Sequence, residues 1–213
     1  MKVRGRSGIM KTNAAERRGC FVRTMRQKAR QVTDRAIICA MLDEMDTMYL
    51  GIHDEPAPYV VPLNFGYAFD QDLVFYFHCA KSGHKLDLLR RSPHVCVTAS
   101  QFVSYAGGSV KGHMHDYRSV IARGTAQEID VQKEPEAFYG ALDRLLRHNH
   151  RDPEDADSPV TRHISMWRIV CRAEDVTAKA EIVPQTPQDV PFAPAEPDGV
   201  PMDESHILDA KKE

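Results

Sequence analysis

Between residues 33 and 45 the apolar positions keep a helical rhythm: Ile38, Met41, Leu42 and Met45 stand at i, i+3, i+4 and i+7 and share one face. Thr33 is placed to cap this helix, and Asp34 suits its positive first turn. The rhythm then changes to that of strands. Residues 48–52 read as a short strand and His53-Asp-Glu-Pro as a turn. Over 58–67 the pattern alternates, with Tyr59, Val61, Leu63, Phe65 and Tyr67 on one side and Val60, Pro62, Asn64 and Gly66 on the other. A proline inside such a run marks an edge, a bulge or an opening in the ladder. Residues 73–78 are apolar without alternation, which predicts a strand covered on both faces. Further strands are predicted over 95–100, 118–129 and 164–172. A helix is predicted over 134–148, with Phe138, Leu142, Leu145 and Leu146 on its inner side.

This order lacks the regular alternation of strand and helix that builds a doubly wound sheet. The expected class is mainly β, an antiparallel barrel with peripheral helices. Neither G-x-G-x-x-G nor G-x-x-x-x-G-K-[ST] occurs, so the usual dinucleotide and P-loop readings fall away.

Charge divides the 213 residues further. Residues 1–30 hold ten Lys/Arg against Glu16 alone, whereas 181–213 hold eight acids, two lysines and six of the 13 prolines. The ends read as tails: a basic extension over 1–24, with Met25 as a candidate start, and an extended, Pro-rich acidic segment over 181–213. The net charge of −2 argues against nucleic acid as a partner. No apolar run reaches the roughly 18 residues that would cross a bilayer. Five cysteines at scattered spacings form no disulfide framework and suit a reducing cytoplasm.

Candidate chemistry concentrates in F77-H-C-A-K-S-G-H-K-L-D-L-L-R-R-S-P, where a buried strand passes through a short loop into a helix. With Ser82 as N-cap, the N–H groups of Gly83, His84 and Lys85 point outward, and Lys81 and Lys85 add full charges. That arrangement suits an anion such as phosphate. The competing reading is a capped surface helix with solvated lysines. His78 is either a rim residue or a proton donor working near neutrality. Asn64 is either an ordinary barrel-lining residue or a hydrogen-bonding partner for a planar ring. Two histidine groups, His113/His115 with Asp116 and His148/His150 with Asp152, contain metal-ligating residue types at spacings that match no tight motif, and read as loop histidines.

Three runs in order, P58-Y-V-V-P-L-N-F-G-Y, V74-F-Y-F-H-C-A-K-S-G-H-K-L-D-L-L-R-R-S-P-H-V-C-V and Y117-R-S-V-I-A-R-G-T-A, resemble the FMN-binding split-barrel superfamily typified by pyridoxamine 5'-phosphate oxidase, and within it the nitroimidazole-resistance family. The ending A173-E-D-V-T-A-K resembles that family's closing strand. The resemblance covers residues 25–180 and implies a six-stranded antiparallel split barrel that pairs as a homodimer with FMN in the groove between subunits. It implies that Val61, Pro62, Leu63 and Asn64 lie along the flavin ring, that His78 and Cys79 stand beside it, and that Lys85 grips the phosphate; Lys81, Ser82 and His84 at the same helix start complete the candidate cofactor-binding set. Arg118 and Ser119 would lie near the cofactor on the long strand. His84 departs from the Arg or Lys usual before that lysine. The implied activity is that of a cytoplasmic FMN-dependent oxidoreductase acting on a small molecule, with His78 as the catalytic residue. The alternative is a non-enzymatic flavin- or haem-binding carrier or sensor on the same barrel.

Overall fold

The computed structural model describes residues 25–105, 115–152 and 163–190. In chain order the elements are β1 (Gln31–Val32), α1 (Arg35–Asp43), β2 (Thr47–Ile52), β3 (Tyr59–Asn64), β4 (Gly66–Phe69), β5 (Leu73–Ala80), α2 (His84–Arg91), β6 (His94–Tyr105), β7 (His115–Ile129), α3 (Pro135–His148), β8 (Ile164–Cys171) and β9 (Val176–Ala180). Helix α1 starts one residue later than expected. Its cap is Asp34, whose carboxylate accepts from the Ile37 N–H at 3.1 Å, and not Thr33. A short acid at the cap satisfies an orphan donor and faces the positive helix end at once.

The 58–67 run is interrupted at Phe65, which is fully buried between β3 and β4. Alternation holds on the first part: Tyr59, Val61 and Leu63 are half-buried, whereas Val60, Pro62 and Asn64 are exposed. The expectation that β5 is covered on both faces needs correction. Leu73, Phe75 and Phe77 are fully buried, but Val74 and Tyr76 are only half-covered and His78 is exposed. Tyr76 packs on the cluster of Phe138, Ala141 and Leu142, so α3 covers part of the second face.

Every ladder is antiparallel, and the main order is β3-β2-β6-β7-β8-β5-β4, with β9 on β7 and β1 on β9. The two ends of that order, β3 and β4, are joined in sequence by Phe65 alone. The sheet must therefore curl until its edges meet, which gives a barrel with a seam that no ladder closes. Among the described residues nine strands stand where six were expected. Beyond the six, β1 is new, β9 is the closing strand that the 173–179 run resembles, and one alternating run divides into β3 and β4. The core inside the curl holds Met41, Leu50, Phe75, Phe77, Val97 and Ile169 among its fully buried side chains.

The seam is bolted at one end by α3. A Cβ built on Gly66 would lie 2.6 Å from the Arg144 carbonyl carbon and the Leu145 nitrogen, so only glycine lets the helix backbone come this close. At the helix end His148 Nε2 lies 2.9 Å from the Met45 carbonyl, with its ring centroid 4.4 Å from that of Phe65. Asn149 donates to the Phe65 carbonyl at 2.9 Å. This histidine group thus serves packing. Among the described residues no set of three His, Cys, Asp or Glu is disposed to hold a metal. His113 lies outside the described residues.

Part of the segment expected to be tail is described. Residues 181–190 are folded, with a capping box between Thr186 and Asp189 and a fully buried Val190. Residues 191–213 and 1–24 lie outside the described residues. Arg118, nearly buried on β7, donates to the Val190 carbonyl and, at 3.3 Å, to that of Asp189. Arg118→Met keeps the packed stem and deletes these bonds. It is expected to lower unfolding free energy by about 1.5–3 kcal/mol, read from denaturant midpoints. An unchanged midpoint would assign the strap's hold to Val190 alone.

Candidate functional site

The seam opens a concavity of about 250 Å³ lined by Thr47, Pro62, Leu63, Asn64 and His78. One wall comes from β2 and β3, whose register sets Tyr49 opposite Pro62, Met48 opposite Leu63 and Thr47 opposite Asn64. Pro62 is tolerated because β3 is an edge and its missing N–H interrupts no ladder on the open side. Asn64 donates through Nδ2 to the Asp46 carbonyl at 3.2 Å, which directs its amide oxygen, an acceptor, elsewhere. Thr47 was not among the sequence candidates. It starts a strand and pairs with Asn64, but nothing in the pattern says which strand β3 joins.

The other wall is His78. Side chains alternate along β5, so His78 stands opposite the buried Phe77, on the outer face. Cys79 returns to the Phe77 side and packs against the core, where burial raises its thiol pKa. The two neighbours therefore face opposite ways, and only His78 lines the concavity. Partial loss of water, and then the charge of Lys85, hold the His78 pKa below its ordinary value.

Helix α2 follows directly. Its N-cap is Gly83 and not Ser82, because φ is +130° there, a conformation that L side chains rarely adopt. Leu86 N–H is bonded back to the Gly83 carbonyl at 2.9 Å, so the N–H groups of His84 and Lys85 precede the first helical bond. Lys81 and Ser82 are exposed just ahead of the helix. Lys85 holds its ammonium 5.7 Å from the Phe77 ring centroid. Phe77 in turn stacks on Trp167 at 6.3 Å and 15°. Trp167 Nε1 donates to Ser165 Oγ at 2.9 Å, and Ser165 donates to Glu128 at 2.6 Å. His84 turns sideways instead, with Nε2 2.9 Å from Asp54 Oδ2.

The structure thus brings Pro62, Leu63, Asn64 and His78 to one concavity; Lys85 does not line it, though its charge is felt at His78. Val61 is half-buried on the core side of β3, the side it shares with Leu63, and does not line the concavity. Arg118 is committed to the C-terminal strap. Ser119 pairs with Ser100 and Lys179 on β7, three strands from β3, which at ordinary strand spacing is about 14 Å. Neither Arg118 nor Ser119 lines the concavity within one chain.

The concavity opens on an outer sheet face that carries partly exposed apolar groups. Pro62, Tyr49, Thr98 and Ile121 run across four strands in register. Tyr49 is 46%, Val60 58%, Phe102 52% and Ile121 38% exposed.

A family model described as pyridoxamine 5'-phosphate oxidase matches residues 34–180. A solved structure from Bacteroides thetaiotaomicron, provisionally described as a 5-nitroimidazole antibiotic resistance protein, is similar at 30% identity with a TM-score of 0.56, covering 70% of this chain and 86% of its own. A FAD-binding protein of Mesorhizobium loti is similar in fold at 20% identity and a TM-score of 0.52, over 72% of this chain and 98% of its own. A FAD and haem binding protein of Mycobacterium smegmatis is likewise similar in fold, at 16% identity and a TM-score of 0.54, over 81% of this chain and 93% of its own. No protein of curated function matches.

Proposed function

Since the chain belongs to the pyridoxamine 5'-phosphate oxidase family, we propose that it is an FMN-dependent oxidoreductase reducing a small aromatic acceptor of the nitroimidazole type. The observation that carries this reading is the meeting of Pro62, Leu63, Asn64 and His78 at one concavity with the Lys85 cation alongside. A flavin ring needs a flat, mostly apolar wall with few fixed polar groups, and its phosphate needs a cation. Pro62 and Leu63 supply the wall, the Asn64 amide oxygen an acceptor, and Lys85 the cation. Bound flavin supplies the electron-carrying chemistry. The protein's own share is to orient it and to hold a proton on His78 for the acceptor.

A second copy completes the site. The concavity of about 250 Å³ is small beside the roughly 300–1,000 Å³ of ordinary cofactor pockets. It opens on the face carrying Tyr49, Val60, Phe102 and Ile121, an apolar surface of the kind that marks an interface. Homodimerisation through this face buries those groups and adds the missing wall.

Two measurements test the reading. Protein purified with FMN is expected to be yellow and dimeric. A colourless protein that FMN does not reconstitute overturns the assignment. Lys85→Ala is expected to weaken FMN about tenfold to a hundredfold, the loss of one charge-assisted contact of roughly 1.5–3 kcal/mol. Riboflavin, which lacks the phosphate, should bind both proteins alike. Equal loss for the two ligands would place Lys85 elsewhere than at the phosphate.

A further inference from the structure

The two walls of the concavity belong to strands that no ladder connects. β3 pairs with β2, and β5 pairs with β4 and β8. Phe65 links β3 to β4, which pairs with β5, and beyond that link side chains hold the two walls together. At one end α3 does this through His148 and Asn149. At the other end the bridge centres on Asp54, in the turn between β2 and β3. Its Oδ1 accepts from its neighbour Glu55 N–H at 3.0 Å and from Arg91 at 3.2 Å, and its Oδ2 lies 2.9 Å from His84 Nε2. His84 and Arg91 are seven residues apart, two turns of α2, so both project from the same side of the helix. The His84 ring also meets Tyr59, the first residue of β3, edge-on at 5.3 Å and 84°. One carboxylate therefore grips both ends of the helix that follows His78 and holds it against the turn that leads into Pro62 and Asn64.

We infer that Asp54 is a positioning residue of the flavin site, setting the distance between the β3 wall and the β5–α2 wall by clamping His84 and Arg91. This rests on the flavin reading above. The geometry separates it from two simpler roles. A carboxylate acting only through its charge would repel a phosphate, so its removal would tighten FMN binding. A carboxylate serving only the fold would lower the melting temperature, and its effect would add to that of Arg91. A clamp predicts neither.

The test is Asp54→Asn in the full chain, which keeps the side-chain shape and removes the charge. FMN and riboflavin dissociation constants, measured by calorimetry, are expected to rise together by about threefold to tenfold with the melting temperature unchanged. Arg91→Gln should give a similar rise. The double variant should be no worse than either single one, as befits two residues of one bridge. Unchanged or tighter FMN binding in Asp54→Asn, or fully additive effects, overturns the inference. Hydrogen exchange provides an arm that needs no flavin: amides of residues 84–91 should exchange faster in Asp54→Asn. If the wild type binds no flavin, the functional reading falls on its own. Unchanged exchange then removes the clamp as well, and faster exchange retains it as a bond across the seam.

Discussion

Acceptor reduction by His78→Ala is expected to slow by about a hundredfold or more, the usual worth of a positioned proton donor, while FMN affinity stays within about twofold of wild type. The imidazole lines the concavity but contributes no charge-assisted grip there, so its loss should fall on turnover and not on binding. Its pKa is held below 6.5 by loss of water and by Lys85. The protonated form therefore accumulates only as pH falls below about 6.5 and through the lowered value. If His78 donates the proton, wild-type turnover rises over that interval and levels off below it, and His78→Ala is flat across the same range. The linkage to stability has the opposite sense. In that interval the unfolded chain binds more protons than the folded one, so stability contributed by neutral His78 is present above about 6.5 and declines as pH falls. Rates equal to wild type would assign His78 to lining alone. An NMR titration showing an ordinary pKa would remove the pH argument.

The largest loss of stability is expected from Gly66→Val, about 3 kcal/mol, the upper range for forcing atoms into a packed site. The atoms in the way are main-chain atoms of α3, at 2.6–2.7 Å from the first added carbon. A helix backbone does not swing aside as a side-chain tip does. The helix must move, drawing His148 from the Met45 carbonyl and Asn149 from that of Phe65. At this chain length the loss corresponds to roughly 6–12 °C in melting temperature. Gly51→Ala is the control, since its nearest new contact is 3.5 Å and ordinary. A Gly66→Val protein melting with the Gly51→Ala control would show that α3 is not bolted to β4.

Much of this was legible in the chain. The class and the helix following His78 came from local signals, alternation and a loop between an apolar strand and a basic helix start. The internal proline left an edge, a bulge or an opening for β3, and the pairing decides for the edge. What stayed hidden was non-local. Asp54 and His84 are 30 residues apart in sequence, and no pattern couples a turn aspartate to a helix start. Thr47 enters the site through strand pairing, which alternation does not specify. The cap of α2 was read as Ser82 on residue preference, whereas backbone geometry gave the position to Gly83. The C-terminal strap was read as tail because proline density hides a single buried anchor, Val190, and the arginine that receives it. Arg118 and Ser119 are implied near the cofactor by resemblance alone, and within one chain they are buried on β7 away from the concavity, a placement no local pattern reveals.

Trp167 is the chain's single tryptophan. It lies flat against Phe77 under the Lys85 ammonium, with its indole N–H tied to Ser165. The protein consequently carries one indole fluorophore, stacked on the ring that the Lys85 ammonium overlies. On the flavin reading proposed above, its emission is expected to fall by energy transfer when FMN binds, without label or mutation, and to recover as FMN dissociates.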